Sequence, residues 1–491
     1  VAELARCQRE NGGEWIGSIP TLYLDWVARG KAVWAPHYTL HKTLMGLFDM
    51  YALAGNAQAL DVLVNSARWF SRWTEKFTRS QMDDILDVET GGMLEVWANL
   101  YGVTGKQEHL DLMHRYDRPR LFNRLLNGDD ALTNMHANTT IPEVQGAARA
   151  WEVTGDSRWR DIVEAYWRFA VTERATYCTG GQTCGEIWTP PGELATRLGD
   201  KNQEHCVVYN MMRLAEYLLT WTGDAQYADY WERNLYNGIL AQQHPTTGMI
   251  AYFLPLQPGA IKKWGTPTDD FWCCHGTLVQ AQTLYTRGVY YQTPHGLALC
   301  QYIPTELHWD WQGTPVTVTQ KPDMQTGSVH RPDNLTINVT VTAAQPVEFA
   351  LSVRLPWWLQ ESPIIEVNGA RVEVPFKPAS FFTLQRNWHN DVIRIVLPKG
   401  LSTDPLPDDP DVVAFMDGPV VLAGITDEER MLYGDKGNPA SILKPDNERE
   451  WTNWIPTYKT HGQSHGLRFM PLYEVRDERY TVYFPVSQRQ V

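Results

Sequence analysis

Apolar residues recur at helical spacing up to about residue 290. Leu44, Leu47, Phe48 and Tyr51 fall on one helical face before Ala54-Gly55-Asn56. Leu214, Tyr217, Leu218 and Trp221 do the same before Thr222-Gly223-Asp224. Thr104-Gly105-Lys106 and Thr154-Gly155-Asp156 complete a set in which each turn joins two amphipathic runs. A glycine just past a helix end, followed by a residue that starts the next helix, predicts a tight helical hairpin. The glycines stand 50, 50 and 68 residues apart, a period that suits an α/α toroid or solenoid. The longer last interval holds the Gly180–Asp200 loop, placed as a functional insertion on a repeat scaffold should be.

From about Leu297 the period changes to two. Thr336–Val341, Phe349–Leu355 and Val392–Leu397 read as strands. Asn368-Gly369 between Ile364–Val367 and Arg371–Val374 predicts a two-residue hairpin turn. Val412–Phe415, Val420–Ala423 and Tyr480–Phe484 add strands, and Pro405–Pro410 reads as a loop or linker. The expected organisation is a multidomain α and β chain. A helical catalytic domain occupies residues 1–290, and one or more antiparallel β-sandwich domains occupy 291–491.

Composition narrows the partners. A formal charge of −14 argues against nucleic acid or an anionic membrane, both of which need a basic face. No apolar run approaches the roughly 18 residues of a membrane span. The 21 Trp and 22 Tyr lean toward carbohydrate, whose apolar faces lie flat on aromatic rings. Seven cysteines spread over 491 residues do not make a disulfide framework. The chain opens Val1-Ala2-Glu3 without Met or a signal peptide, so the localisation is unknown, with cytoplasm, periplasm and export all open.

The stretch Gly180–Thr277 carries the candidate chemistry. Glu204 and Cys206 stand two apart at a predicted helix start, and Cys273 and Cys274 follow 67 residues after Cys206. Three thiolates and a carboxylate make a four-coordinate set for Zn²⁺, although the spacing matches no zinc finger and buried apolar cysteines are the bland alternative. Glu186 follows Gly185 and precedes Trp188, which suits a general acid with a raised pKa. Glu193 competes with it, and a solvated loop glutamate is the plain alternative. His41 and His136 stand at helix starts, where they face a central cleft if the helices close into a toroid. Glu232 and Tyr252 are ordinary helix and strand residues by pattern alone. No phosphate-binding Gly-rich loop, His-Glu-x-x-His or Gly-x-Ser-x-Gly motif is present.

At these residues the chain resembles the β-L-arabinofuranosidase-type glycoside hydrolases, family 127 and its relative family 146. The resemblance runs through Trp34–Lys42, His136–Pro142, Thr179–Glu186, Glu204–Met211, Glu232–Asn237, Phe271–Thr277, Val367–Gly369 and Gly418-Pro419. It implies an (α/α)6 barrel followed by β-sandwich domains. The barrel is expected to be N-terminally incomplete, because about nine helices are readable where twelve are expected. It implies Cys273 as nucleophile, Glu186 as acid/base, and Zn²⁺ held by Glu204, Cys206, Cys273 and Cys274. His41, His136, Glu232 and Tyr252 match positions that line the sugar site. His205 and Cys184 depart from the usual pattern. The implied function is a zinc-dependent retaining exo-glycosidase that releases β-L-arabinofuranose from plant-derived glycans or glycoproteins; a homodimer is left open.

Two other classes share parts of this pattern. A polysaccharide lyase also uses an α/α toroid, but it needs Arg and Lys against uronic acids, and the central stretch supplies Glu and Cys instead. A non-catalytic carbohydrate-binding protein with a structural zinc would close the metal off from the sugar.

Overall fold

The computed structural model describes residues 1–283, 285–323, 333–446 and 457–488. It forms two compact units, Val1–Arg174 and Ala175–Val491.

The first unit is built from helices. Three hairpins pair Pro36–Ala52 with Ala57–Thr74, Met93–Thr104 with Gln107–Arg115, and Ala137–Thr154 with Ser157–Trp167. The first helix of each pair packs against the first helix of the next, and the second helices flank them. Burial follows this arrangement. Every residue from Met93 to Leu100 is buried, whereas in Gln107–Arg115 only His109, Leu112 and Met113 are. Gly146 permits the close approach of the second and third inner helices, since a Cβ there would lie 2.6 Å from Leu94 Cβ.

The repeated turn has one geometry. Gly105, Gly155 and Gly223 end their helices in the left-handed region that an L side chain resists. Thr104, Thr154 and Thr222 each donate a hydroxyl hydrogen bond to the carbonyl four residues back. Asp156 and Asp224 then cap the next helix through their side chains, as Asn56 does after Gly55. Lys106, which has no such acceptor, does not.

The sequence reading finds about nine helices; thirteen α-helices are present among the described residues. The difference lies in short elements such as Leu22–Ala28, where only Leu24 and Val27 are buried. Two apolar positions over two turns are too few to establish a period.

The second unit begins with irregular chain and the helices His205–Thr222, Ala225–Asn234 and Cys273–Gln282. Two sheets follow, one of eight strands and one of nine, each with its own apolar core. In the first sheet Asn334–Leu355 pairs antiparallel with Ser380–Pro398 along nearly its whole length. The separate strands expected at Thr336–Val341 and Phe349–Leu355 are therefore two parts of one strand. Pro346 falls at the irregularity between Trp388 and Asn390, where a residue without an N–H is tolerated. Asn368 and Gly369, with φ of 51° and 80°, make the expected hairpin turn.

Pro405–Pro410 is not a linker. Leu401–Leu406 and Asp409–Asp417 form a hairpin there. Pro405 is accommodated because Leu401–Leu406 is an edge strand beside a register shift. The sheets are mostly antiparallel, with parallel pairing of Gly296–Leu299 to Asn334–Leu355 and of Leu432–Tyr433 to Tyr483–Ser487. Among the described residues no helix is long and apolar enough to cross a membrane.

Candidate active site and metal centre

Three chain segments lie side by side in the second unit. Thr183–Cys184 and Ile187–Trp188 form a small hairpin. Cys184 bridges to Asn202, and the Gly185 N–H donates to the Lys201 carbonyl. Glu204 then bridges to Phe253, and the His205 N–H donates to the Tyr252 carbonyl. The Gln242 side-chain amide donates to the carbonyls of Gln203, Ala251 and Tyr252, holding the second and third segments in register.

The hairpin turn consists of Gly185 and Glu186, with φ of 61° and 69°. Both residues are left-handed, as a two-residue turn between right-twisted strands requires. Glu186 is thus displayed at a turn tip in a conformation uncommon for its type. Its Oε1 accepts a 2.5 Å hydrogen bond from the Tyr252 hydroxyl. Glu193, the competing carboxylate, is exposed and pairs with Arg197.

The thiols stand in the first turns of two helices. Glu204 is the N-cap of His205–Thr222 and Cys206 its second residue; Cys273 and Cys274 open Cys273–Gln282. Free N–H groups and the positive end of a helix favour anionic ligands there. Cys206 Sγ lies 3.3 Å from Cys274 Sγ, and Cys273 Sγ lies 3.9 Å from Cys274 Sγ. Glu204 Oε1 is 3.9 Å from Cys273 Sγ and 3.8 Å from Cys274 Sγ. One ligand atom from each of the four residues falls within 4.8 Å of every other.

This group fits a bound metal ion. Glu204 is buried, and its Oε2 has no hydrogen-bond partner. Burial, followed by the charges of Cys273 and Glu186, holds the Glu204 carboxyl well above the usual range. Burial also raises the Cys206 and Cys274 thiols. Cys273 goes the other way, lowered by hydrogen bonds from Cys206 and Cys274 and further by Tyr252. Four potentially anionic ligands sharing one small buried volume call for a cation.

Cys273 also differs in exposure. Glu204, Cys206 and Cys274 are buried, whereas Cys273 is half-buried. The Tyr252 hydroxyl lies 3.5 Å from its sulfur. Tyr252 therefore touches both Glu186 and Cys273, and burial raises its own pKa.

Glu186, Glu204, Cys206, Tyr252, Cys273 and Cys274 are brought together. Glu232 belongs to another buried cluster, where it accepts hydrogen bonds from Arg354 Nη2 at 2.7 Å and Trp358 Nε1 at 2.8 Å. His41 and His136 belong to the first unit. His41 is buried in Pro36–Ala52 with Gly91 and Gly92 packed against its ring, and His136 stands at the N-cap position of Ala137–Thr154 without a side-chain cap hydrogen bond. Of the two unusual residues, Cys184 is half-buried in the hairpin. His205 is fully buried and held neutral, its pKa pushed down to about 3 by burial.

Thr277 was missed by sequence reasoning. Its hydroxyl lies 3.0 Å from Cys206 Sγ. Its signal was its position four residues after Cys273, on the same helical face.

Comparison with known proteins agrees with this architecture. The family model described as the β-L-arabinofuranosidase GH127 catalytic domain matches residues 1–287, and the GH127 middle domain matches 296–399. No curated protein sequence matches significantly. A solved glycoside hydrolase superimposes with a TM-score of 0.72 at 17% identity, covering 95% of this chain and 87% of that one. A GH127 β-L-arabinofuranosidase from Geobacillus stearothermophilus T6 gives 0.70 at 18%, covering 92% and 80%. Another GH127 β-arabinofuranosidase gives 0.71 at 18%, covering 98% and 84%. At these identities the structural likeness is one of fold. The family matches go further: the chain belongs to the GH127 β-L-arabinofuranosidase family and is a glycoside hydrolase, with a carbohydrate as its substrate.

Proposed function

We propose that this hydrolase is a zinc-dependent, retaining exo-glycosidase that releases β-L-arabinofuranose from plant-derived glycans, with Cys273 as nucleophile. One observation carries the reading. Of the four metal-ligand candidates, only Cys273 is half-exposed, and the Tyr252–Glu186 pair stands beside it. A purely structural metal centre has no need of an accessible thiolate. Membership of a hydrolase family sets aside the lyase and binding-protein alternatives.

The donor set favours zinc. Tetrahedral zinc, with bonds of about 2.3 Å to sulfur and 2.0–2.2 Å to oxygen, separates neighbouring ligand atoms by about 3.5–3.8 Å. Four of the six ligand pairs stand 3.3–3.9 Å apart, close to that, and all six lie within 4.8 Å. Glu204, Cys206, Cys273 and Cys274 would hold the ion, which when bound keeps thiols deprotonated near neutral pH.

The remaining steps belong to the chain. Cys273 Sγ donates its electron pair to the anomeric carbon as the glycosidic C–O bond breaks. Glu186 passes its proton to the departing oxygen. A water then attacks the same carbon, Glu186 takes its proton, and the C–S bond breaks to return the thiolate. Two inversions retain the anomeric configuration. The Tyr252 hydroxyl is 2.5 Å from Glu186 and 3.5 Å from Cys273, so the two groups lie within about 6 Å. That is below the roughly 6.5–9.5 Å that inverting pairs need to admit a water. His41, His136 and Glu232 remain proposed sugar contacts on the family resemblance.

The test is hydrolysis of an aryl β-L-arabinofuranoside by wild type and Cys273→Ala, with metal quantified in both. Activity confined to the wild type, with both proteins folded, is expected. Turnover by Cys273→Ala would sink the nucleophile assignment, and wild-type inactivity despite bound zinc would sink the sugar.

A further inference from the structure

Two large aromatic residues stand uncovered immediately before the reactive cysteine. Phe271 is 83% exposed and Trp272 52% exposed. From buried Cys274 through half-buried Cys273 to Trp272 and Phe271, exposure rises residue by residue, so the chain runs outward from the ligand group. Leaving two consecutive large aromatic side chains in water forgoes substantial burial energy.

Trp272 is held in place on the inner side. Its ring packs edge-on against Tyr252 at 5.7 Å and 74°, and against His275 at 5.6 Å and 63°. Tyr252 in turn contacts Glu186 and Cys273. The aromatic pair is thus anchored to the reacting groups at one end and open to solvent at the other.

An exo-acting hydrolase holds the sugar it releases against its nucleophile, and the rest of the substrate points toward solvent. We propose that Phe271 and Trp272 form a shelf for the saccharide residue on the far side of the cleaved bond. They would stack on its apolar C–H face and select saccharide over small leaving groups. The inference rests on the exo-hydrolase reading above and names the part of the substrate that reading leaves open.

The experiment compares methyl β-L-arabinofuranoside with a β-L-arabinofuranosyl disaccharide, using wild type, Phe271→Ala, Trp272→Ala and Trp272→Phe. Phe271→Ala and Trp272→Ala should each raise KM for the disaccharide about tenfold more than for the methyl glycoside. Trp272→Phe, which keeps a ring, should restore most of the disaccharide preference. Equal changes on both substrates, or no change on either, would overturn the shelf. So would a fall in native mass for Phe271→Ala with preference intact, which would make the pair a contact between copies. Wild-type inactivity on both substrates would instead overturn the functional reading and the shelf with it.

Discussion

The Tyr252 hydroxyl donates a 2.5 Å hydrogen bond to Glu186 Oε1 while lying 3.5 Å from Cys273 Sγ. One phenol thus links the proposed proton donor to the proposed nucleophile. Tyr252→Phe removes that link and keeps the ring that packs on Trp272. A hydrogen bond to a charged group is worth about 1.5–3 kcal/mol, so kcat should fall roughly tenfold to 150-fold. Circular dichroism and metal content should match wild type. A kcat within about twofold of wild type would remove Tyr252 from the reaction.

The ligand group joins first turns of helices that begin far apart in sequence, at His205 and Cys273. A metal held there, as proposed, should therefore stabilise the second unit. Cys206→Ala, at a buried ligand away from the proposed nucleophile, should lose metal and lower Tm by about 5 °C or more. Chelator should lower wild-type Tm toward the variant's and leave the variant unmoved. Identical melting of wild type with and without chelator would show that the ion contributes nothing to folding.

Arg354 is fully buried and binds both Glu232 and Asp229. Burial, opposed chiefly by Arg354, raises Asp229 to about 6. Arg354→Met would leave two buried carboxylates without their cation, at a cost of about 3–5 kcal/mol. Denaturant unfolding measures it directly. A loss below about 1 kcal/mol would mean that water reaches the carboxylates and replaces the guanidinium.

Lys262 provides a pH test away from the ligand group. Its ammonium is buried and donates to the carbonyls of Leu472 and Val475. Burial pulls its pKa down from 10.5 to about 7. Between those values the unfolded chain binds the proton more tightly than the folded one, so stability rises with pH. Wild type should gain stability relative to Lys262→Met between pH 7 and 9, by at most about 1.4 kcal/mol per pH unit. Parallel stability curves for the two proteins would contradict the depressed pKa.

Periodicity made the helical hairpins legible because Gly105, Gly155 and Gly223 impose the same backbone geometry each time. Asn368-Gly369 was legible for the same local reason. Pro405 misled because its tolerance depends on which strand lies at the sheet edge, a nonlocal fact. At the site, the residue types named the ligand group, and family resemblance named its roles. The Tyr252 bridge was not legible, and helical spacing from Cys273 marked Thr277 without naming its partner, since both contacts depend on how distant segments dock.

Glu186 occupies the second position of a turn whose backbone suits glycine or asparagine better than glutamate. On the role proposed for Glu186, folding and chemistry therefore favour different residues at this place. Replacing Glu186 with glycine would relax the turn but also remove the hydrogen bond from Tyr252, so the two effects on stability oppose each other. With Glu186 as the proposed acid/base, the need for turnover would hold at this place a residue that the turn alone does not favour.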